Sequence, residues 1–319
     1  MAEERSPRAL SGTPATRSQR RVRRARRLRL VALCATLAVG GLLVLAPGAF
    51  AFFTPESGGS PNANAINSLY KITLVIALII FVAVEGGLVY ALVKFRARKG
   101  HVAAQIRGNT RLELGWTLGA AVILVVLAVI TFVKLPSIMD PPNTTAAGDH
   151  LVGESGLLAS ADLKLPPNGR ALRITVTGQQ YIWRYTYPGA ANPDGLGAPY
   201  SYFSMVVPTN TTVVLDLQSL DVVHSWWIPQ LGGKFQAIPG YNNYAWFQIS
   251  KPGIYKGQCA EICGRGHARM IAQVVAVSPT EFDAWIAYQK QSIAVANAHA
   301  AAIRAELATK TGAAAVTVP

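Results

Sequence analysis

Residues 257–270 read Gly-Gln-Cys-Ala-Glu-Ile-Cys-Gly-Arg-Gly-His-Ala-Arg-Met. This segment contains Cys259, Cys263, His267 and Met270 at the spacing C-x3-C-x3-H-x2-M, and His224 lies 35 residues upstream. Thiolate, thioether and imidazole groups together form the soft donor set that selects copper. Zinc sites, in contrast, are built from cysteine, histidine and carboxylate ligands. The segment therefore predicts a copper site.

The two cysteines of this segment leave more than one arrangement open. In an exported protein the default for a cysteine pair is a disulfide, which here would close a very small loop between Cys259 and Cys263. A mononuclear blue-copper site needs one thiolate and two histidines. Two thiolates can instead bridge two copper ions and leave one imidazole for each.

The segments around the copper motif have the patterns of β-strands. Further β-type runs at 202–207, 244–249 and 270–277 are separated by proline and glycine. Alternation with a period of two marks two more strands, whose apolar positions are Leu172, Ile174 and Val176 in one and Val213, Leu215 and Leu217 in the other. Several short strands with turn signals predict a β-sandwich or barrel.

The boundaries of this predicted domain follow from proline and from a helix signal. Pro136, Pro141 and Pro142 begin a polar run that is typical of a linker, so we place the domain at 136–290. Residues 278–281 read Ser-Pro-Thr-Glu, a capping box that predicts the start of a helix. The alanine-rich tail over 291–319 is either a frayed helix or disordered, and neither structure is assigned to it.

Three long apolar stretches precede the domain, in a chain of 319 residues that is 51% hydrophobic and 14% charged. Residues 30–53 follow an arginine-rich start and end in Ala49-Phe50-Ala51, so 1–53 is a signal peptide or an extra N-terminal span. The stretches 70–93 and 114–135 are each long enough to cross a bilayer. We therefore expect a transmembrane helical hairpin over 66–135.

The distribution of charge gives the topology. The loop between the two spans is rich in positive charge and has no acid before Glu113; its cations are Lys94, Arg96, Arg98, Lys99, Arg107 and Arg111. Such loops stay in the cytoplasm, which places the domain after residue 135 on the outer face of a bacterial-type plasma membrane. Glu85, inside the first span, should face protein.

The net charge of +14 does not indicate a nucleic-acid partner. Ten arginines and two glutamates lie in residues 1–29, whereas residues 136–290 contain ten basic and ten acidic residues. Nucleic-acid binding requires basic charge clustered on the folded domain.

Four motifs resemble subunit II of the haem-copper cytochrome c oxidases over about residues 60–290. Two of them are the copper segment and the run Glu113-x-x-Trp-Thr at the start of the second span. The others are His-Ser-Trp-Trp-Ile-Pro from His224, and Leu-Gly-Gly-Lys from Leu231 followed by Ile-Pro-Gly from Ile238. The resemblance implies an α+β membrane protein, in which the helical hairpin is followed by an exported cupredoxin-like β-sandwich.

The resemblance also implies the dicopper centre called CuA. Cys259 and Cys263 would bridge the two copper ions. His224 and Met270 would complete one copper, while His267 and the backbone carbonyl of Glu261 would complete the other. The Glu261 carboxylate would point to a magnesium ion shared with subunit I.

The residue at which electrons enter is left open by an aromatic cluster. In the proteins that this chain resembles, a tryptophan that receives electrons from cytochrome c occupies the position of Tyr181. Tyr181, Trp183 and Trp226 are therefore candidates for electron transfer. The alternative is that these side chains only pack in the core or at the rim of the sandwich. Because residues 136–290 balance in charge, we expect docking to use apolar contacts near Tyr181 and Trp183.

These features predict a subunit II that accepts electrons from cytochrome c and passes them to haem in subunit I, for proton-translocating reduction of oxygen to water. The other expected partners are further oxidase subunits and the lipid bilayer. The chain lacks a C-x-x-C-H motif, so no c-type haem is expected in it.

Three other functions fit the sequence less well. Quinol oxidase subunits II resemble this family but lack the copper ligands, which are present in this chain. A copper carrier needs exposed ligands, and nitrous oxide reductase needs more histidines than the five present.

Overall fold

The computed structural model describes residues 54–96, 100, 102, 105–146, 164–189 and 198–311, and from Pro55 onward they form one compact unit. The signal peptide or span predicted over 1–53 lies outside these residues. So do Arg98 and Lys99 of the basic loop.

Two long helices form the predicted hairpin. Helix α1 spans Pro61–Lys94 and helix α2 spans Thr110–Met139, and both are long and apolar enough to cross a membrane. Helix α2 begins with a reciprocal cap: Asn109 Oδ1 accepts from the Leu112 amide at 3.2 Å, and Glu113 Oε1 accepts from the Asn109 amide at 3.0 Å. Glu85 is exposed among the described residues, and its expected contact with protein stays a prediction.

Helix α2 runs past the predicted boundary at Pro136. Pro136 lies inside the last turn of α2, which continues to Met139 and ends at the cap residue Asp140. Proline has no amide hydrogen to donate within the helix, but its carbonyl can still accept a hydrogen bond. The Pro136 carbonyl accepts from the Asp140 amide at 2.8 Å.

The exported domain is a sandwich of two five-stranded sheets, with the orders β3-β2-β1-β5-β8 and β4-β10-β9-β6-β7. The first sheet contains β1 (Leu172–Gln179), β2 (Ile182–Thr186), β3 (Tyr200–Tyr202), β5 (Thr212–Ser219) and β8 (Asn243–Gln248). The second contains β4 (Ser204–Pro208), β6 (His224–Trp227), β7 (Phe235–Ala237), β9 (Gly253–Cys259) and β10 (Ile271–Val277). The predicted strand at 202–207 is thus two strands, because Phe203 has a φ of 62° and interrupts the extended chain.

The core between the sheets is built from alternating positions. Strand β1 buries Leu172, Ile174 and Val176, as its pattern predicts. Strand β5 is buried on both faces along most of its length. Thr212 at its start bonds to Pro142 and Thr144, which precede the sandwich. The core extends to Cys259, Cys263 and Met270, so the copper motif lies at one end of the sandwich core.

Helix α3 spans Pro279–Thr311 and begins at the predicted capping box. The Ser278 amide donates to Glu281 Oε2 at 2.9 Å, and the Glu281 amide donates to Ser278 Oγ at 3.3 Å. Phe282 and Trp285 pack against Tyr187 of the sandwich. The helix continues through most of the tail to which the sequence assigned no structure.

Polar contacts join the hairpin to the sandwich. Asn62 Nδ2 donates to the Trp246 carbonyl at 2.9 Å, and the Gln248 amide donates to Ser60 Oγ at 3.1 Å. Trp246 Nε1 donates to the Met139 carbonyl at 3.1 Å. Strand β8 therefore contacts both ends of the hairpin that face the domain.

Candidate metal centre

Three strands position the side chains of the copper motif. His224 begins β6, Cys259 ends β9, and Met270 directly precedes β10. Strand pairing places Trp226 of β6 opposite Cys259, and the Cys259 amide donates to the Met270 carbonyl at 2.8 Å. Residues 260–269 form the connection between β9 and β10, and we call this connection the ligand loop.

The structure brings all the predicted ligands together. Cys259 Sγ lies 3.9 Å from His224 Nδ1 and 3.9 Å from Cys263 Sγ. Cys263 Sγ lies 3.6 Å from His267 Nδ1 and 4.0 Å from Met270 Sδ. The Glu261 carbonyl oxygen lies 3.3 Å from Cys259 Sγ. Each thiol therefore has a different imidazole beside it.

This geometry fits a metal site and excludes a disulfide in this state of the chain. A disulfide requires an S–S distance of about 2.05 Å, and Cys259 and Cys263 are free. Ligand atoms of His224, Cys259 and Cys263 all lie within 4.8 Å of one another, so one ion can contact them all. The thioether of Met270 adds the donor that favours copper.

The two thiols differ in acidity. Burial opposes ionisation of Cys259, but hydrogen bonds with His224 and with the Ser225 and Glu261 backbones lower its pKa to about 6. Burial and the neighbouring Cys259 sulfur raise the pKa of Cys263 to about 11. At neutral pH the metal-free site therefore holds mainly one thiolate and one thiol.

Asp221 orients His224. The Asp221 Oδ1 atom lies 2.8 Å from His224 Nε2, and a carboxylate can only accept, so Nε2 carries the hydrogen and Nδ1 faces the cysteines. Desolvation would lower the pKa of His224, but its hydrogen bonds with Cys259 and Asp221 outweigh burial and raise it. A carboxylate behind a metal-binding imidazole fixes the orientation of the ring and makes it a stronger ligand.

The three aromatic candidates occupy different positions. Trp183 is 0% exposed and lies edge-on to His224, with ring centroids 5.8 Å apart. Trp226 is 1% exposed and donates from Nε1 to the Tyr185 hydroxyl at 3.3 Å. Tyr181 is half-buried and lies against the ligand loop. Trp183 is fully buried, so its own ring presents no surface to a partner, and docking near Tyr181 stays a prediction.

Sequence reasoning did not find two residues of this site. They are Asp221, which orients His224, and Gln180 in the turn between β1 and β2. Gln180 Nε2 donates to the Cys263 carbonyl at 2.6 Å, from 83 residues away in the chain. No local pattern marks either role, although an acid three residues before a candidate ligand histidine is a signal that can be tested for.

The patterns of two protein families match this chain. The cytochrome C oxidase subunit II, transmembrane domain, matches residues 49–133. The cytochrome C oxidase subunit II, periplasmic domain, matches residues 201–277. The first match covers the hairpin, and the second covers the strands and the loop that carry the metal ligands.

Individual proteins show the same similarity. Cytochrome c oxidase subunit 2 of Alkalihalophilus pseudofirmus is 30% identical over 71% of this chain, which spans 59% of that relative's length. Probable cytochrome c oxidase subunit 2 of Rickettsia bellii is 30% identical, over 72% of this chain and 80% of that relative's length. Among solved structures, the periplasmic domain of subunit II of cytochrome oxidase from Bradyrhizobium japonicum is 32% identical, with a TM-score of 0.35, over 38% of this chain and 95% of that one.

The family matches, the ligand cluster and the two long apolar helices support a copper-binding membrane protein with its C-terminal domain on the outer face. The α+β fold predicted from the sequence, a helical hairpin followed by a sandwich, is confirmed. The chain belongs to the cytochrome c oxidase subunit II family.

Proposed function

We propose that this chain is the subunit through which electrons enter a cytochrome c oxidase, and that its metal centre holds two copper ions. The observation that carries the proposal is the pairing of each thiol with its own imidazole, Cys259 with His224 and Cys263 with His267. A single-thiolate copper site would leave one of these pairs without a role.

Each side chain has a defined part in holding the metals. Cys259 and Cys263 would hold both ions. His224 and Met270 would hold one of them as well, and His267 with the Glu261 carbonyl would hold the other. The pair of copper ions would supply one-electron transfer in which each metal–ligand bond changes little. Strands β6 and β9 hold His224 and Cys259 in place before the metal arrives, which would lower the rearrangement further.

Tyr181 is the candidate at which electrons enter. It lies against the ligand loop and is partly exposed, whereas Trp183 and Trp226 are buried. Trp183 contacts His224 edge-on and so can carry electrons only within the domain. The Glu261 carboxylate is the proposed ligand for a magnesium ion at the boundary with subunit I.

The partners and location follow from the family and the hairpin. We propose that cytochrome c donates electrons on the outer face of a bacterial-type plasma membrane, that both helices cross the membrane, and that haem in subunit I accepts the electrons. Oxygen is reduced in that other subunit, coupled to proton translocation, because haem and its ligands belong there.

The test is copper uptake by the full-length chain in detergent. We expect two copper ions per chain, a purple colour, and an electron paramagnetic resonance spectrum in which the unpaired electron is split over two copper nuclei. Cys34→Ser is the matched control, since Cys34 lies outside the motif and its loss should leave the spectrum unchanged. One copper per chain with a single-nucleus spectrum would overturn the dicopper proposal.

A further inference from the structure

The turn between β1 and β2 carries a residue that bonds to one half of the metal centre directly and to the other half through Asp221. Gln180 lies in this turn, and its side-chain Nε2 donates to the Cys263 carbonyl at 2.6 Å. Its backbone amide donates to Asp221 Oδ2 at 2.7 Å. These two bonds leave the same residue in different directions.

The first bond leads to the ligand loop. Cys263 Sγ has His267 Nδ1 at 3.6 Å, so a bond that fixes the Cys263 backbone also fixes the sulfur and the imidazole beside it. The loop is packed closely against the turn at this point. A Cβ at Gly264 would lie 2.9 Å from Gln180 Nε2 and 2.5 Å from the Tyr181 hydroxyl. Gly264 also has a φ of 127°, which favours glycine.

The second bond leads to the other imidazole. Asp221 accepts from Gln180 through Oδ2 and contacts His224 Nε2 through Oδ1 at 2.8 Å. His224 Nδ1 then faces Cys259. The chain of contacts from Gln180 thus ends at His224 and Cys259 on one side, and at Cys263 and His267 on the other.

We propose that Gln180 is a positioning residue that sets the distance and orientation between the two halves of the metal centre. It does not touch the metals. Without its side-chain bond, the ligand loop keeps its strand attachments at Cys259 and Met270, but the Cys263 and His267 part loses its link to the turn. This inference rests on the proposed metal centre and names a residue that keeps that centre in a fixed geometry.

Gln180→Met tests the proposal in the full-length chain, because methionine keeps the length of the side chain and the backbone amide but has no N–H to donate. We expect a copper dissociation constant about 10- to 100-fold higher than that of the unchanged chain, the usual effect of losing a hydrogen bond behind a metal ligand. The hyperfine pattern of the copper spectrum should also change, which a purely structural role in the turn would not produce. Gln179→Met is the matched control at the exposed end of β1, and both properties should stay as they are.

A copper-free measurement separates this inference from the proposed function. In metal-free Gln180→Met, backbone amides of the ligand loop such as His267 and Arg269 should exchange with deuterium about tenfold faster, while amides in β1 and β5 should keep their rates. Unchanged loop exchange together with unchanged copper affinity in a folded variant would overturn the role of Gln180. If the unchanged chain binds only one copper, the dicopper proposal fails, whereas faster loop exchange in Gln180→Met still supports the positioning role.

Discussion

Cys259 and Cys263 lose their protons at different pH values, because His224 and backbone donors stabilise one thiolate while burial and its neighbour oppose the other. A metal binds the thiolate, so every proton still on a ligand must leave when the metal arrives. The difference in pKa therefore becomes a pH dependence of metal uptake.

We expect copper affinity to rise with pH, by about tenfold per pH unit between pH 7 and 9, because the one proton still held by Cys263 must leave when the centre is filled. The sign follows from Cys263, whose pKa of about 11 keeps it protonated over this range, whereas Cys259 with a pKa of about 6 is already ionised. Anaerobic titration with Cu(I) against a competing chelator at three pH values measures the slope. An affinity that does not change with pH would mean that Cys263 is ionised at neutral pH.

The ligands also differ in what their loss should do. Cys259→Ser or Cys263→Ser should abolish the two-nucleus spectrum, since each thiolate bridges both metals in the proposed centre. Met270→Leu should retain copper and shift the reduction potential, because a weak axial ligand tunes the potential more than it holds the metal. Metal analysis and spectroscopy of the three variants check this prediction, and an equal loss of copper from all three would contradict the assigned roles.

At the scale of elements, the ligand loop and the β1–β2 turn fit against each other without room for a side chain. Gly266 has a φ of −91°, so its backbone would accept any residue. A Cβ there, however, would lie 2.3 Å from Tyr181 Cδ2, closer than real Cβ atoms approach. Glycine at this position is required by the approach of the tyrosine ring.

Gly266→Ala should therefore displace the ligand loop and weaken copper binding by about tenfold, the lower end of the effect of disturbing a ligand's support. The double variant Gly266→Ala/Tyr181→Ala should recover part of the affinity, since the obstructing ring is gone. Gly233→Ala is the control, because its nearest atom would be 3.8 Å away. Equal losses in Gly266→Ala and Gly233→Ala would show that contact with Tyr181 is not the cause.

At the scale of the whole molecule, positive charge is concentrated at the membrane end of the sequence and the exported domain is balanced. Of the acids that could form a docking face, Asp149, Glu154, Asp162 and Asp194 lie outside the described residues. Asp221 accepts hydrogen bonds from the Gln180 and Val222 amides and orients His224. Beside it, Leu220 is 67% exposed, and Ile262 on the ligand loop is 80% exposed.

We therefore expect the electron-transfer rate from cytochrome c to the assembled oxidase to change by less than about threefold between about 10 and 200 mM salt. Salt screens the attraction between charged surfaces, so it has little effect on docking by a domain whose charges balance. Ile262→Ala should slow the reaction at every salt concentration by removing exposed apolar surface. Ile254→Ala, at the far end of β9, is the control. Stopped-flow kinetics measure these rates, and a fall of tenfold or more with salt would reveal an acidic docking face.

The sequence by itself determined the hairpin, the strand patterns and the set of candidate ligands. Hydrophobic length and a period of two are local properties, so 70–93, 114–135 and the alternation in β1 could be read without a structure. The spacing of Cys259, Cys263, His267 and Met270 is local as well, because all four lie in one connection between two strands. His224 was a candidate from its residue type, but its place beside the others depends on the fold, because it lies 35 residues upstream.

Only the tertiary structure decided which residues support those ligands. Gln180 reaches Cys263 across 83 residues, and Asp221 reaches Gln180 across 41, through contacts that exist only after the two sheets have packed. Burial of Trp183 was equally undetermined, since an aromatic residue in a strand can face the core or the solvent. The extension of α2 through Pro136 also required the structure, because a proline beyond the first turn usually breaks or ends a helix. The local sequence pattern determines which segments form helices and strands and which side chains can bind a metal. The orientation of those side chains depends on contacts between residues far apart in the chain.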